Sequence, residues 1–405
     1  RQESAPGRRC GQGTLLQRSR YDLMERGRRR ELPPSVQSTR HVWRRGVVQR
    51  WLIWPIFSLV IGCTPSIPLD PAATFSSRIL DAGLASTDPW AGAHLMLAFP
   101  EANRLAAVRA RWIGQIEDEK VQIPLHGADG HRGEQHPHLL LRTAAWVLPS
   151  THTPHLKQRI ERALAATSIP THWKQINDLA WLVEAAAVLK LPATTATADA
   201  DLATLARTLL DAVEQSDRVV HRCLEEGGRP DGSLGPEQSG TWAYTCGGLH
   251  LFSALVESVG AGYLTAADRL RLIDGLLLTT RRVSWELQFR LDEEQRALAA
   301  GVSPRRAARH ALLARMKLAG HGLDLFGRCR ALGLLSAQQV EIAVEQSLEA
   351  ASQIQTRLLE VVDPQGKLLS AQTEAQDRET WERTFGDGCH LLRGLMIWQS
   401  NSARP

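Results

Sequence analysis

From residue 73 onward apolar side chains recur at steps of three and four, and no stretch of β-branched residues alternates with period two. That spacing places one apolar stripe along a helix and cannot line one face of a strand. The stripes are Ile160, Leu164 and Ala165; Leu179, Leu182, Val183 and Ala186; and Leu202, Leu205, Leu209 and Val213. Further along come Leu270, Ile273 and Leu277, and then Val340, Val344, Leu348, Ala351 and Ile354. Glycine and proline punctuate them at His126–Gly133, Leu191-Pro192, Gly227–Gly240, Gly301–Pro304 and Asp363–Gly366. The body therefore reads as all-α, about a dozen helices joined mostly by short loops. With 43% hydrophobic and 22% charged residues, disordered, collagen-like and polytopic membrane chains are excluded.

A repeat runs through this pattern. Asp231-Gly232-Ser233-Leu234 is followed by Trp242, Thr245, Gly247-Gly248 and His250. Asp363 and Gly366 are followed by Trp381, Thr384, Gly386, Gly388 and His390. Weaker copies are Gly320-His321-Gly322-Leu323-Asp324 and Gly133–Leu140, which contains His138. Each copy predicts a glycine-bearing loop feeding a helix whose first turn presents a polar side chain: His138, His250, Asp324 and His390 in turn. Helical hairpins repeated in this way stack into a solenoid or close into a ring.

The Asp-Gly turn with a following Trp and helix resembles the repeats of α/α toroids such as terpenoid cyclases and protein prenyltransferases, over about 25 residues in two copies. The resemblance implies an α/α toroid over residues 73–405, taken as a single domain, with helix starts converging on a central cavity. His138, His250, Asp324 and His390 would then face one ligand. Imidazole and carboxylate together suit a transition metal, and a metal-bound water would be a hydrolytic nucleophile. Used architecturally, the same residues would satisfy helix-end backbone groups. Cys246 with Cys389-His390 resembles the zinc site of lanthionine-synthetase cyclases, which implies zinc on those three residues. The interval of 143 residues and Leu391, where that family has Gly, depart from its pattern. A Cys246–Cys389 disulfide uses the same pair. Asp231 and Glu237, beside Trp242, and Asp387 in the matching loop form a third constellation. Two carboxylates near an aromatic platform suit cleavage of a glycan.

Charge is divided unevenly. Of 48 basic and 43 acidic side chains, 13 and 4 fall in residues 1–63, a local net charge of +9, which leaves a body of net −4. The high pI thus belongs to the leader, and a nucleic-acid partner is not expected, since phosphate binding needs clustered positive charge on the folded surface. Arg44, Arg45 and Arg50 precede the apolar stretch Trp51–Ile61, then Gly62 and Cys63. A cationic flank and a short apolar core ending in small residues read as an export signal over 41–62, too short to span a bilayer permanently. Leu59-Val60-Ile61-Gly62-Cys63 resembles the lipobox of bacterial lipoproteins. That implies cleavage before Cys63, lipidation of its thiol and a membrane-anchored protein of the cell envelope. Residues 63–72 then form a Pro-rich tether. Residues 1–40 read as a non-native or disordered extension, with Met24 or Val42 as the expected start.

The reading is an exported, lipid-anchored envelope protein with a central ligand site for a small molecule or glycan. The alternative is a carbohydrate-active or zinc-dependent enzyme using the ring centre. No phosphate-binding glycine loop, G-x-S-x-G or H-E-x-x-H occurs.

Overall fold

Among the described residues, short polar side chains set the starts of six helices of the body. In the computed structural model, which describes residues 70–100, 102–117, 138–148, 152–228, 236–243, 246 and 248–402, Asp70 accepts from the Ala72 amide at 3.0 Å and opens α1 (Pro71–Ala85). Asp88 accepts from the Trp90 amide at 2.8 Å and opens α2 (Pro89–Ala98). In both, proline at the first helical position lacks only a donor that would have gone unused. Thr265 with Asp268, and Ser336 with Gln339, form capping boxes at the starts of α10 (Ala266–Ala299) and α12 (Ala337–Arg357). Asp201 caps α7 (Leu202–Glu226), which ends where Gly227 takes φ 68°.

The remaining helices are α3 (Ala106–Glu117), α4 (Leu139–Val147), α5 (Thr153–Ala165), α6 (Trp173–Val188), α8 (Pro236–Ser239), α9 (Leu249–Ala261), α11 (Pro304–Ala331), α13 (Ala371–Gln376) and α14 (Arg378–Ser402). The described residues hold no strand, only an isolated bridge between Ala196 and Asp201. The body is all-helical, as its periodicity predicts. Among the described residues no helix is long and apolar enough to cross a membrane. The contacts divide the chain between Thr64 and Pro65, and every described residue falls in the second unit. The leader, with Cys63 and the signal segment, lies outside the described residues. Pro71 and Ala72, placed in the tether by sequence, already belong to α1.

The helices pack in a defined succession. α2 packs on α4, α4 on α6, α6 on α9, α9 on α11, α11 on α14, and α14 on α2. One helix intervenes in the chain between α2 and α4, α4 and α6, and α9 and α11, while two, α7 and α8, lie between α6 and α9; α7 packs on both α6 and α9, and α10 on both α9 and α11. Three pairs run parallel. Lys317 meets Asp387, His321 meets His390 and Asp324 meets Arg393, so contacts advance together along α11 and α14. Trp90 lies by Gly386 and His94 by His390, which makes α2 parallel to α14. Asn177 bonds His250, and two turns later Glu184 and Glu257 share Arg328, which makes α6 parallel to α9.

The glycines of the repeat have two different uses. Gly248, at φ 71°, does precede the first turn of α9. Gly320, Gly322, Gly386 and Gly388 lie inside α11 and α14 and open no helix. Gly320, Gly386 and Gly388 are there for close approach, whereas a methyl group on Gly322 would meet its neighbours at ordinary contact distance. A methyl group on Gly320 would stand 2.5 Å from the backbone carbon of His390, and one on Gly394 would overlap the Gly320 carbonyl oxygen. Gly386 and Gly388 make the same room for Trp90 and Ile79. Asp324, His390 and Asp387 therefore sit mid-helix, not in first turns or loops. The Asp363 turn is present: its carboxylate accepts from the amides of Lys367 and Leu368.

Candidate functional site in the helical interior

Five helices of the succession bring charged side chains to one place. From α6, Glu184 is fully buried. Its Oε1 accepts from Arg142 Nη2 of α4, Arg328 Nη1 of α11 and Trp146 Nε1 of α4, each at 3.0 Å. Arg328 also donates to both oxygens of Asp324, one turn earlier on α11, at 2.7 and 3.0 Å, and to Glu257 of α9 at 3.2 Å. Arg393 of α14 donates to Asp324 Oδ2 at 2.9 Å. The guanidinium carbons of Arg328 and Arg393 lie 4.2 and 5.2 Å from the ring centre of the half-buried Trp146.

The electrostatics are those of a buried ion network. Burial pushes the Glu184 carboxyl up, but the neighbouring Arg142 and Arg328 outweigh it and hold it at about 2. Burial acts on Asp324 in the same sense and is again overcome, by Arg328 and Arg393, leaving its carboxyl well below the usual range. Burial raises Glu257, which Arg328 only partly offsets. Burial together with the other two arginines lowers Arg393 to about 10, against the pull of Asp324. Among the described residues three buried atoms of this network, Glu184 Oε2, Arg142 Nε and Arg393 Nη2, have no hydrogen-bond partner.

A second layer lies two helical turns away. Asn177, His250 and His321 each precede by seven residues the members of the ion layer on their own helices, Glu184, Glu257 and Arg328, a rise of roughly 10 Å. His250 bonds Asn177 Oδ1 through Nε2 at 2.6 Å and Cys246 Sγ through Nδ1 at 3.1 Å. An amide oxygen only accepts, so Nε2 carries the proton and Nδ1 accepts from the Cys246 thiol. Trp181 stacks on His250 at 5.0 Å. His390 lies 4.0 Å from His321 and 5.0 Å edge-on from His94 of α2, ring centre to ring centre.

The sequence-predicted residues distribute over these features. His250 and His390 fall in the imidazole layer and Asp324 in the ion layer. His138 stands apart, ahead of the first residue of α4. They do not form the predicted ligand set: among the described residues no three His, Cys, Asp or Glu side chains gather as metal ligands. Asp324 is committed to two arginines, and His250 to Asn177 and Cys246. Cys223, Cys246, Cys329 and Cys389 are all buried free thiols, so neither a Cys246–Cys389 disulfide nor a zinc triad with His390 is formed. Burial pushes the Cys329 and Cys389 thiols up, further from the thiolate a metal needs. Asp387 lies 3.8 Å from Lys317. Asp231 and the Glu237 side chain lie outside the described residues.

Trp242 anchors a separate corner. Arg282 of α10 lies 4.1 Å from its ring centre and donates to Thr241 Oγ1 at 2.6 Å and Glu286 Oε1 at 2.7 Å. Arg282 thereby ties the 240–242 turn to α10. Nearby, burial pushes the Asp217 carboxyl up to about 7 against the opposing pull of Arg282.

Arg142, Glu184, Arg328, Arg393 and Trp146 belong to none of the sequence motifs. A signal was present, because Glu184 interrupts the otherwise apolar run Ala180–Ala187, and Arg142, with Thr143, interrupts Leu139–Trp146. No protein-family model, curated protein or solved structure matches the chain.

Proposed function

We propose that this chain is an exported, lipid-anchored protein of the bacterial cell envelope whose helices form an α/α toroid around a ligand site. The one observation that carries the site is the buried ion layer drawn from α4, α6, α9, α11 and α14. Taking a charge out of water costs several kcal/mol even after relaxation, and well-packed apolar residues of similar volume often serve stability as well or better. Such a layer, with three atoms left unpaired, is costly as mere scaffold and suited to a small polar ligand entering beside the half-buried Trp146 and Glu257. The toroid is supported by the succession from α2 through α14 back to α2 and by its parallel pairs. The anchor is supported by the cationic flank, apolar core and Leu59–Cys63.

Two experiments test this reading. Full-length chain produced in a bacterium with labelled fatty acid should carry label, and Cys63→Ser should carry none; unlabelled parent chain ends the anchor proposal. Thermal unfolding of the purified protein with small carboxylates, amino acids and muropeptide fragments should reveal a stabilising ligand. A site saturated a hundredfold above Kd gains about 2.7 kcal/mol. Trp146→Ala should abolish the gain. If no compound shifts the transition and Glu184→Gln/Arg328→Met folds at least as stably as the parent, the layer is scaffold and the ligand site fails.

A further inference from the structure

The unmatched atoms of the ion layer have a definite pattern. Glu184 Oε1 and Arg142 Nη2 meet at 3.0 Å. The second atom of each group, Glu184 Oε2 and Arg142 Nε, has no hydrogen-bond partner among the described residues. An unmet acceptor and an unmet donor therefore stand side by side. Arg393 adds a second unmet donor, Nη2, while its Nε is spent on Asp324. Trp146 links the three groups. It lies one turn after Arg142 on α4, donates to Glu184 through Nε1, and has the Arg393 guanidinium 5.2 Å from its ring centre. Arg142, Glu184 and Arg393 are only 3%, 0% and 4% exposed, so bulk water does not meet these atoms. Buried polar atoms left unmatched are costly, and charged ones most of all. The layer is also balanced: Arg142, Arg328 and Arg393 face Glu184, Glu257 and Asp324, and with all six ionised their charges sum to zero.

We propose that the ion layer takes a free α-amino acid, held by its ammonium and carboxylate groups; this rests on the reading of the layer as a ligand site. The unmet atoms ask for an acceptor that serves two guanidinium donors and, close beside it, a donor for a carboxylate oxygen. An α-amino acid carries both on one carbon. Its carboxylate accepts from Arg142 Nε and Arg393 Nη2, and its ammonium donates to Glu184 Oε2. Each of these contacts joins opposite charges and is stronger for it. The zwitterion adds no net charge to a layer already in balance. A simple carboxylate or amine would leave one buried charge uncompensated. Glu257, whose side chain is 17% exposed, and the half-buried Trp146 mark the side towards which the amino-acid side chain points.

Isothermal calorimetry of the whole protein with L-alanine, L-leucine and L-phenylalanine at millimolar concentration tests this. At least one should bind. The 2-hydroxy acid of the same side chain lacks the ammonium, the decarboxylated amine lacks the carboxylate, and 4-aminobutyrate holds the two apart. Each should bind about tenfold more weakly or worse, a difference of about 1.4 kcal/mol, because a site built to bond a group rejects the analogue without it. Glu184→Gln should weaken the amino acid by about the same factor and leave the hydroxy acid unchanged. The ligand series needs only the parent protein, so it decides the matter even if that variant does not fold. Equal binding of the hydroxy acid or of the amine overturns the proposal. So does amino-acid binding that Trp146→Ala leaves unchanged, since the ligand would then sit elsewhere. Binding of a simple carboxylate or a muropeptide fragment with no binding of the three amino acids also overturns it, and leaves the interior site standing. Silence from every compound, with a stable Glu184→Gln/Arg328→Met, removes the site itself.

Discussion

At the scale of single residues, the same residue type carries opposite costs at different places. Gly394 sits where α14 crosses α11, and any side chain there meets the Gly320 carbonyl. Gly394→Ala should destabilise by about 1–3 kcal/mol, the usual cost of overpacking. Gly260, exposed in α9 with only Leu332 at ordinary contact distance, should gain up to about 1 kcal/mol as alanine. Chemical denaturation of the two variants checks both signs. Asp217 gives a pH signature. Its folded carboxyl stands at about 7, above its unfolded value near 4, so the folded state binds the extra proton between these limits. Stability conferred by the protonated form is fully present below pH 4 and is lost as pH rises towards 7. Asp217→Asn should flatten that decline and gain roughly 1–3 kcal/mol at pH 8, read from unfolding curves across pH. A variant that keeps the parent's slope would assign it to another group.

Between elements, the ion layer links five helices through Arg328. Arg328→Met leaves Glu184 and Asp324 with fewer partners in a buried site and should cost about 3–5 kcal/mol. Glu184, held at about 2, acts in the opposite pH direction to Asp217. Its contribution is present above its unfolded pKa near 4.3 and is lost as pH falls towards 2. Glu184→Gln should therefore be less stable at neutral pH and lose roughly 2–3 kcal/mol less on acidification. Acid titration of the helical signal measures this. The apolar stripes were legible in most helices: Leu179, Leu182, Val183 and Ala186 of α6 are all buried. In α10 the stripe was right in part: Ile273 and Leu277 are half-buried against the core. Leu270 is exposed, and Leu272, Leu276, Val283 and Leu287 face the core. A long helix packed on several neighbours buries more than one face, so its periodicity does not select the core side alone.

Over the whole molecule, α14 is the piece on which the succession depends, because it packs on α1, α2, α11 and α13. A chain ending at residue 377 should lose its cooperative thermal transition and its near-ultraviolet circular dichroism, and retention of both would show that α14 is peripheral. The four body thiols should resist alkylation in the native protein and react on unfolding, as mass spectrometry would record. What the sequence by itself determined was the secondary structure: helical period, capping residues and Gly/Pro breaks are local properties, each decided within a few residues of chain. It also marked His250, Asp324 and His390 as unusual, but not for the reason expected. Only the tertiary structure decided that glycines 320 and 386 serve helix crossings, that Asp324 pairs with arginines and that the cysteines stay apart. Those outcomes depend on which parallel helices meet and at what register, and residues about 70 positions apart in sequence set that register only when the helices pack.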